Sequence, residues 1–287
     1  MFFTNTLRAV ALLLVLCLSP VANATCRSTL HYVNGVLNDT RTEAEFITEA
    51  LQKELKDDPN LCVGEPLFNP SQKMLMDLAE TYKLKLDLGK IIWPQIVDGF
   101  VAGLLHVFNN LLAMVRGEKT DIYGYKADLE SMYAKLKPEL EAKNGHVLIA
   151  HSEGNLLAMQ LQKMAVADGY ARRIDIMHVA APAKIELSRQ RTMALLSTED
   201  NVIKVYTLTS VANKPNFIPD LTTQPEMGHG MLAVYLNPNN TGTFTNFSCE
   251  KSQTTPLSEI VASIRRAAQC QFGTCVNIGF GNANGEC

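Results

Sequence analysis

The sequence predicts an α/β protein, with a mostly parallel sheet covered by helices on both faces and a large helical insertion between two strands. Three observations carry this expectation. Short apolar runs alternate with helical periods along the chain, one such run passes directly into a helix at Ser152, and residues 71–143 hold helical periods and no strand.

The elements follow in order. Residues 30–36, Leu-His-Tyr-Val-Asn-Gly-Val, read as a buried strand entering a turn at Asn34-Gly35. A helix follows, with Thr42 and Glu45 spaced as a capping box and Ile47, Leu51 and Leu55 on one face, until Asp57-Asp58-Pro59-Asn60 breaks it. Residues 61–68 make a second short strand, weakened by Gly64 and Pro66. The insertion then supplies three helices. The first carries Met74, Leu75, Leu78 and Tyr82; the second, residues 94–115, is apolar over most of its surface; the third, residues 122–142, spaces Leu129, Met132, Tyr133, Leu136 and Leu140 helically and stops at Asn144-Gly145.

Beyond Ser152, residues 155–168 form an amphipathic helix closed by Gly169, and residues 173–181 a buried strand. Residues 185–196 read as helical and residues 202–210 as a strand. Gly228-His229-Gly230 opens a short apolar helix, residues 231–236. An Asn-, Thr- and Gly-rich loop, a helix over residues 256–268 and a Cys-containing terminus (residues 249–287 in all) complete the chain, with no internal repeat or domain linker.

Composition narrows the compartment and the partners. Arg8, the apolar run 9–18 and the small residues Ala22 and Ala24 form a secretory signal peptide over residues 1–24, too short in its apolar core to span a bilayer. Residues 25–287 are then expected as one domain outside the cytoplasm, secreted or periplasmic. Losing Arg8 takes the formal charge from −3 to −4, which excludes a nucleic-acid binder of the basic kind. Six of the seven cysteines remain, and an exported chain favours disulfides. Cys26 is expected to pair with Cys62, since both precede candidate parallel strands, and Cys249, Cys270, Cys275 and Cys287 among themselves. No Cys-x-x-Cys or His-Glu-x-x-His spacing suggests zinc.

The chemistry centres on residues 147–158, Val-Leu-Ile-Ala-His-Ser-Glu-Gly-Asn-Leu-Leu-Ala. Ser152 stands at a strand-to-helix corner with small residues, Ala150 and Gly154, two positions to either side, as a nucleophile elbow requires. An ordinary helix N-cap serine would read the same way. With Tyr32-Val33-Asn34-Gly35-Val36 early and Gly228-His229-Gly230 with Ala233-Val234-Tyr235-Leu236 late, the chain resembles the α/β-hydrolase superfamily, in particular its exported bacterial lipase- and esterase-like members. That resemblance implies an α/β-hydrolase fold with residues 71–143 as a cap, a serine esterase activity and no cofactor.

A serine hydroxyl needs a base, and the base needs an acceptor that fixes its tautomer. Of six histidines, His31, His146 and His178 fall in strands, His106 lies on the apolar helix, and strand alternation should aim His151 away from the nucleophile. His229 is the expected base, placed where the resemblance puts it. Asp220 is the expected acid; Asp200 reads as a helix-end or turn residue, Glu226 is a further carboxylate, and the resemblance points near Asn213. The oxyanion donors are expected to be the N–H of Glu153 and, by resemblance, that of Val36 rather than Gly35. The apolar helix 94–115 meets either the core or a substrate acyl chain and lipid interface. The expected partner is a small-molecule or lipid ester, or alternatively a thioester or amide. A hydrolase-fold protein without activity, binding a lipid or a partner, is the alternative of another class.

Overall fold

Five strands form the central sheet of the computed structural model, which describes residues 26–34, 41–68, 125–182, 194–201, 203, 215–221, 225–246 and 250–272. They are β1 (Ser28–Val33), β2 (Leu61–Val63), β3 (Gly145–His151), β4 (Ile174–Val179) and β5 (Ala194–Leu195), in the spatial order β2-β1-β3-β4-β5. All four pairings are parallel, with Val33 opposite Ala150 and His151 opposite Val179. Strands β3 and β4 are buried along their whole length, which is why their apolar residues fall on both faces rather than on one, although β4 also buries Asp175 and His178. The protein is thus α/β with a parallel sheet flanked by helices.

Helix α1 (Arg41–Leu55) buries Ala44, Ile47, Leu51 and Leu55, and each of the larger side chains contributes about 2 kcal/mol on leaving water. The helix starts one residue before Thr42, so the expected capping box does not form, and Glu45 instead pairs with Arg41 at 3.1 Å. Helix α2 (Tyr125–Glu141) buries Leu129, Met132, Leu136 and Leu140, and packs on β3 and on helix α3 (Gly154–Ala167). Thr29 Oγ1 donates to Glu139 Oε2 at 2.7 Å, tying α2 to β1 as well. The last helix of the expected cap thus carries an apolar stripe that the sheet takes up. The rest of the expected cap, residues 71–124, lies outside the described residues. After α2 the left-handed turn position falls on Lys143 (φ 65°), one residue ahead of the expected Asn144-Gly145.

Helix α4 (Pro256–Gln271) packs on β3, β4 and α1. Thr255 caps it by accepting the Ser258 N–H at 3.1 Å, with Pro256 in the first turn, where its missing N–H costs nothing. Cys26 and Cys62 form a disulfide between the start of β1 and β2 with their Cα atoms 5.5 Å apart, and Cys270 is also disulfide-bonded. Among the described residues no helix is long and apolar enough to cross a membrane.

Three stretches differ from expectation. Residues 194–195, expected at the end of a helix, form β5, and Ile203, expected in a strand, has helical backbone. The polar segment expected as a loop contributes to an antiparallel sheet of β6 (Phe217–Pro219), β7 (Gly242–Thr245) and β8 (Lys251–Thr254). Its Thr- and Gly-rich residues pair through backbone groups, a signal that apolar periodicity does not carry. A bridge between Ser197 and Phe217 joins this sheet to the chain that leaves β5.

Candidate active site

Ser152 closes β3 with φ +52°, the left-handed value that a sharp strand-to-helix turn demands and that a residue with a side chain adopts only under constraint. The constraint is visible. Ser152 N–H donates to Val179 O at 3.0 Å, and the Asn155 amide donates to both Ser152 O (2.8 Å) and Val179 O (2.9 Å). His178 Nδ1–H in turn donates to Asn155 Oδ1 at 2.9 Å, which fixes the amide's orientation. Gly154 is required because a Cβ there would run into the carbonyl oxygens of Val33 and Asn34. One small residue thus lets the corner pass beneath the end of β1.

His229 Nε2 lies 2.9 Å from Ser152 Oγ. On its far side His229 Nδ1 faces the Asp200 carboxylate, 2.9 Å from Oδ2 and 3.1 Å from Oδ1. An ionised carboxylate accepts only, so Nδ1 carries the proton and Nε2 is left to accept from the serine hydroxyl. All three residues are buried, with Asp200 at 0% exposure. Compared with protein-family models, curated proteins and solved structures, the chain matches none.

The acid on His229 is Asp200, and this corrects the expectation of Asp220. Asp220 is exposed on the second sheet, where it accepts from Thr241 Oγ1 (2.7 Å) and Gln253 Nε2 (3.2 Å). Asp200 lies five residues after β5, the outermost strand on that side among the described residues. Its Oδ1 accepts the Ile203 N–H at 3.0 Å, so it does serve as the turn residue its sequence context suggests. The same carboxylate, with Oδ1 and Oδ2 both near Nδ1, also holds the histidine. Asn213 and the side chain of Glu226 lie outside the described residues.

Gly228 brings the histidine into place. Its φ of +76° and the Glu199 carbonyl that a Cβ would strike both require glycine, and they seat the His229 loop against the Ser197–Asp200 turn. Tyr235, fully buried in the π-helical turn Met231–Tyr235, donates from Oη to Asp200 Oδ2 at 2.9 Å and accepts the Ser197 N–H at 3.3 Å. Burial, reinforced by the Asp200 charge, pushes the Tyr235 phenol well above its ordinary range and keeps it a donor.

His151 is also in the cluster, in contact with the base rather than with the serine hydroxyl. Its Nε2–H donates to His229 O at 2.8 Å, and its ring lies 4.7 Å from that of His229. Burial, then the nearby His229, lowers the His151 pKa well below the usual histidine value, leaving a neutral ring whose proton sits on Nε2. His31 and His146 pair elsewhere in the sheet, with ring centroids 5.3 Å apart, and His106 lies outside the described residues.

Glu153, directly after Ser152, is buried and precedes the first turn of α3, so its backbone N–H belongs to the positive end of the helix dipole. Asn34 is buried at the end of β1, while Gly35 and Val36 lie outside the described residues. No three His, Cys, Asp or Glu side chains among the described residues group as a metal site would need. The sequence assigns no role to Tyr235 or Asn155 and excludes His151 as the base, because the roles of all three depend on contacts between distant segments. A faint signal for Tyr235 is its position six residues after His229 in an otherwise apolar turn, where a buried hydroxyl needs a partner.

Proposed function

We propose that this chain is a serine hydrolase of the α/β-hydrolase fold that cleaves carboxylic esters through an acyl-enzyme. The observation that carries the reading is the continuous run of hydrogen-bond distances from Ser152 Oγ through His229 to the Asp200 carboxylate. Ser152 Oγ attacks the ester carbonyl as its proton passes to His229 Nε2. Asp200 holds the ring's tautomer and offsets the imidazolium charge. The tetrahedral intermediate collapses, the alcohol leaves with the proton from Nε2, and water repeats the sequence to release the acid. The Glu153 N–H at the start of α3 is one oxyanion donor; the turn after Asn34 is the expected source of the second.

The leader-like first 24 residues and the Cys26–Cys62 bridge support a secreted or periplasmic location. The alternative is a silent lipid- or partner-binding protein of the same fold; the Asp200 carboxylate on His229 favours the catalytic reading over it. A thioesterase or amidase would use the same residues.

The test is covalent labelling of the folded protein with a fluorophosphonate. The expected adduct is on Ser152 and absent in Ser152→Ala; no labelling, or labelling that survives the substitution, sinks the catalytic reading. Nitrophenyl esters of increasing chain length, set beside a thioester and an anilide, then separate the substrate classes. Faster turnover of octanoyl than acetyl esters is expected for a lipid-facing insertion.

A further inference from the structure

The Asp200 carboxylate has more donors than a histidine partner alone requires. Oδ1 takes the Ile203 N–H at 3.0 Å and Oδ2 takes the Tyr235 hydroxyl at 2.9 Å, while His229 Nδ1 bridges the two oxygens. Tyr235 Oη is anchored from the other side by the Ser197 N–H at 3.3 Å, and Asp200 N–H donates to Ser197 O at 3.2 Å. One phenol therefore grips both ends of the Ser197–Asp200 turn. The edge of its ring faces His151, centroids 6.0 Å apart, and the ring lies in the same buried cluster as His229. Removing the hydroxyl would leave Oδ2 with His229 alone, loosening the carboxylate while its charge falls more fully on the imidazole.

Resting on the hydrolase reading above, we infer that Tyr235 is a positioning residue: its hydroxyl fixes the Asp200 carboxylate in line with His229 Nδ1 and takes up part of its charge. It acts through Asp200 and is fully buried, out of reach of substrate. Two consequences distinguish this role from packing. A carboxylate that shares its charge with a phenol holds imidazolium less strongly, so loss of the phenol moves the acid limb of the pH–rate profile to higher pH. The effect also depends on Asp200 being charged.

The experiment compares wild type, Tyr235→Phe, and protein with 3-fluorotyrosine placed at 235, a stronger donor of the same shape. In Tyr235→Phe, kcat for a nitrophenyl ester falls about tenfold with KM unchanged, and the acid limb rises by about one unit, the effect expected of a hydrogen bond to a charged group. Fluorotyrosine moves the limb the other way. In an Asp200→Asn background, Tyr235→Phe adds little further loss in the rate of fluorophosphonate labelling. An unmoved limb in both Tyr235 proteins, or losses that add fully to those of Asp200→Asn, overturns the inference. If Tyr235→Phe does not fold, the isosteric fluorotyrosine protein decides alone. Wild type that reacts at Ser152 while the Tyr235 proteins match it sinks this inference only; wild type that fails to react sinks the hydrolase reading and this inference together.

Discussion

His151 donates its Nε2–H to the backbone carbonyl of His229, 2.8 Å away, so the neighbour of the serine holds the main chain of the histidine that faces it. Replacing His151 with Phe keeps a ring and removes the donor, leaving a buried carbonyl without that bond. The expected cost is about 1–3 kcal/mol in denaturant unfolding. Loss of register between Ser152 and His229 slows fluorophosphonate labelling about ten- to a hundredfold. Wild-type labelling by a folded His151→Phe protein would show that the bond does not set this register.

Asp200 and Asp220 separate cleanly. Asp200→Asn keeps the shape but favours the wrong histidine tautomer, and kcat falls by about four orders of magnitude. Asp220→Asn changes an exposed contact with Thr241 and Gln253 and leaves kcat/KM near wild type, with stability changed by no more than about 0.5 kcal/mol. The reverse ranking in an ester assay would remove Asp200 from the mechanism.

Gly228 and Gly169 both have positive φ, +76° and +90°, but only at Gly228 would a Cβ meet the Glu199 carbonyl; at Gly169 nothing lies within 4 Å. Alanine at either position costs about 1–2 kcal/mol of backbone strain. Gly228→Ala in addition displaces His229 from Asp200 and lowers kcat, whereas Gly169→Ala melts earlier with kcat intact. Thermal melts and ester kinetics on the two variants check the contrast.

Stability should fall in mild acid. Burial, then the neighbouring His31, lowers the His146 pKa from 6.5 to about 4, and burial lowers that of His31 as well. Glu139 and, for His31, Glu65 act in the opposite sense without reversing it; Lys135 adds to the lowering of His31. The unfolded chain therefore binds protons that the folded protein refuses, and stability is lost as pH falls from about 6.5 toward 4, by about 1.4 kcal/mol per unit of displacement. Denaturant midpoints at pH 7 and pH 5 measure the loss. Leucine at 146 should flatten the dependence, and an unchanged slope in His146→Leu would place its origin elsewhere.

The central strands and the Ser152 corner are legible in the sequence because burial on both faces writes itself as an unbroken apolar run, and because a tight corner tolerates only small neighbours. The acid is not, for a local reason. Strand β5 has two residues, Ala194 and Leu195, and two apolar residues resemble the end of a helix as readily as a strand. Read as helix, residues 194–195 give no strand end to look past, whereas the rule of looking just beyond a strand leads to Asp200 once β5 is recognised. Tyr235 and Asn155 were illegible for a more general reason: hydrogen bonds between segments far apart in the chain leave no periodicity behind.

The bond between Ser152 and His229 spans 77 residues, whereas β1, β3, β4 and the Asn155 brace need no residue beyond Val179. A growing chain can therefore build the parallel core and the strained corner while its serine remains an inert alcohol. On the proposed reading the hydroxyl becomes a nucleophile only when residues 228–235 settle against His151 and the Ser197–Asp200 turn. Timing is thus written into the topology: the segment that arms the site is made after the corner it arms, so on the proposed reading esterase activity would appear only once residues 228–235 have docked.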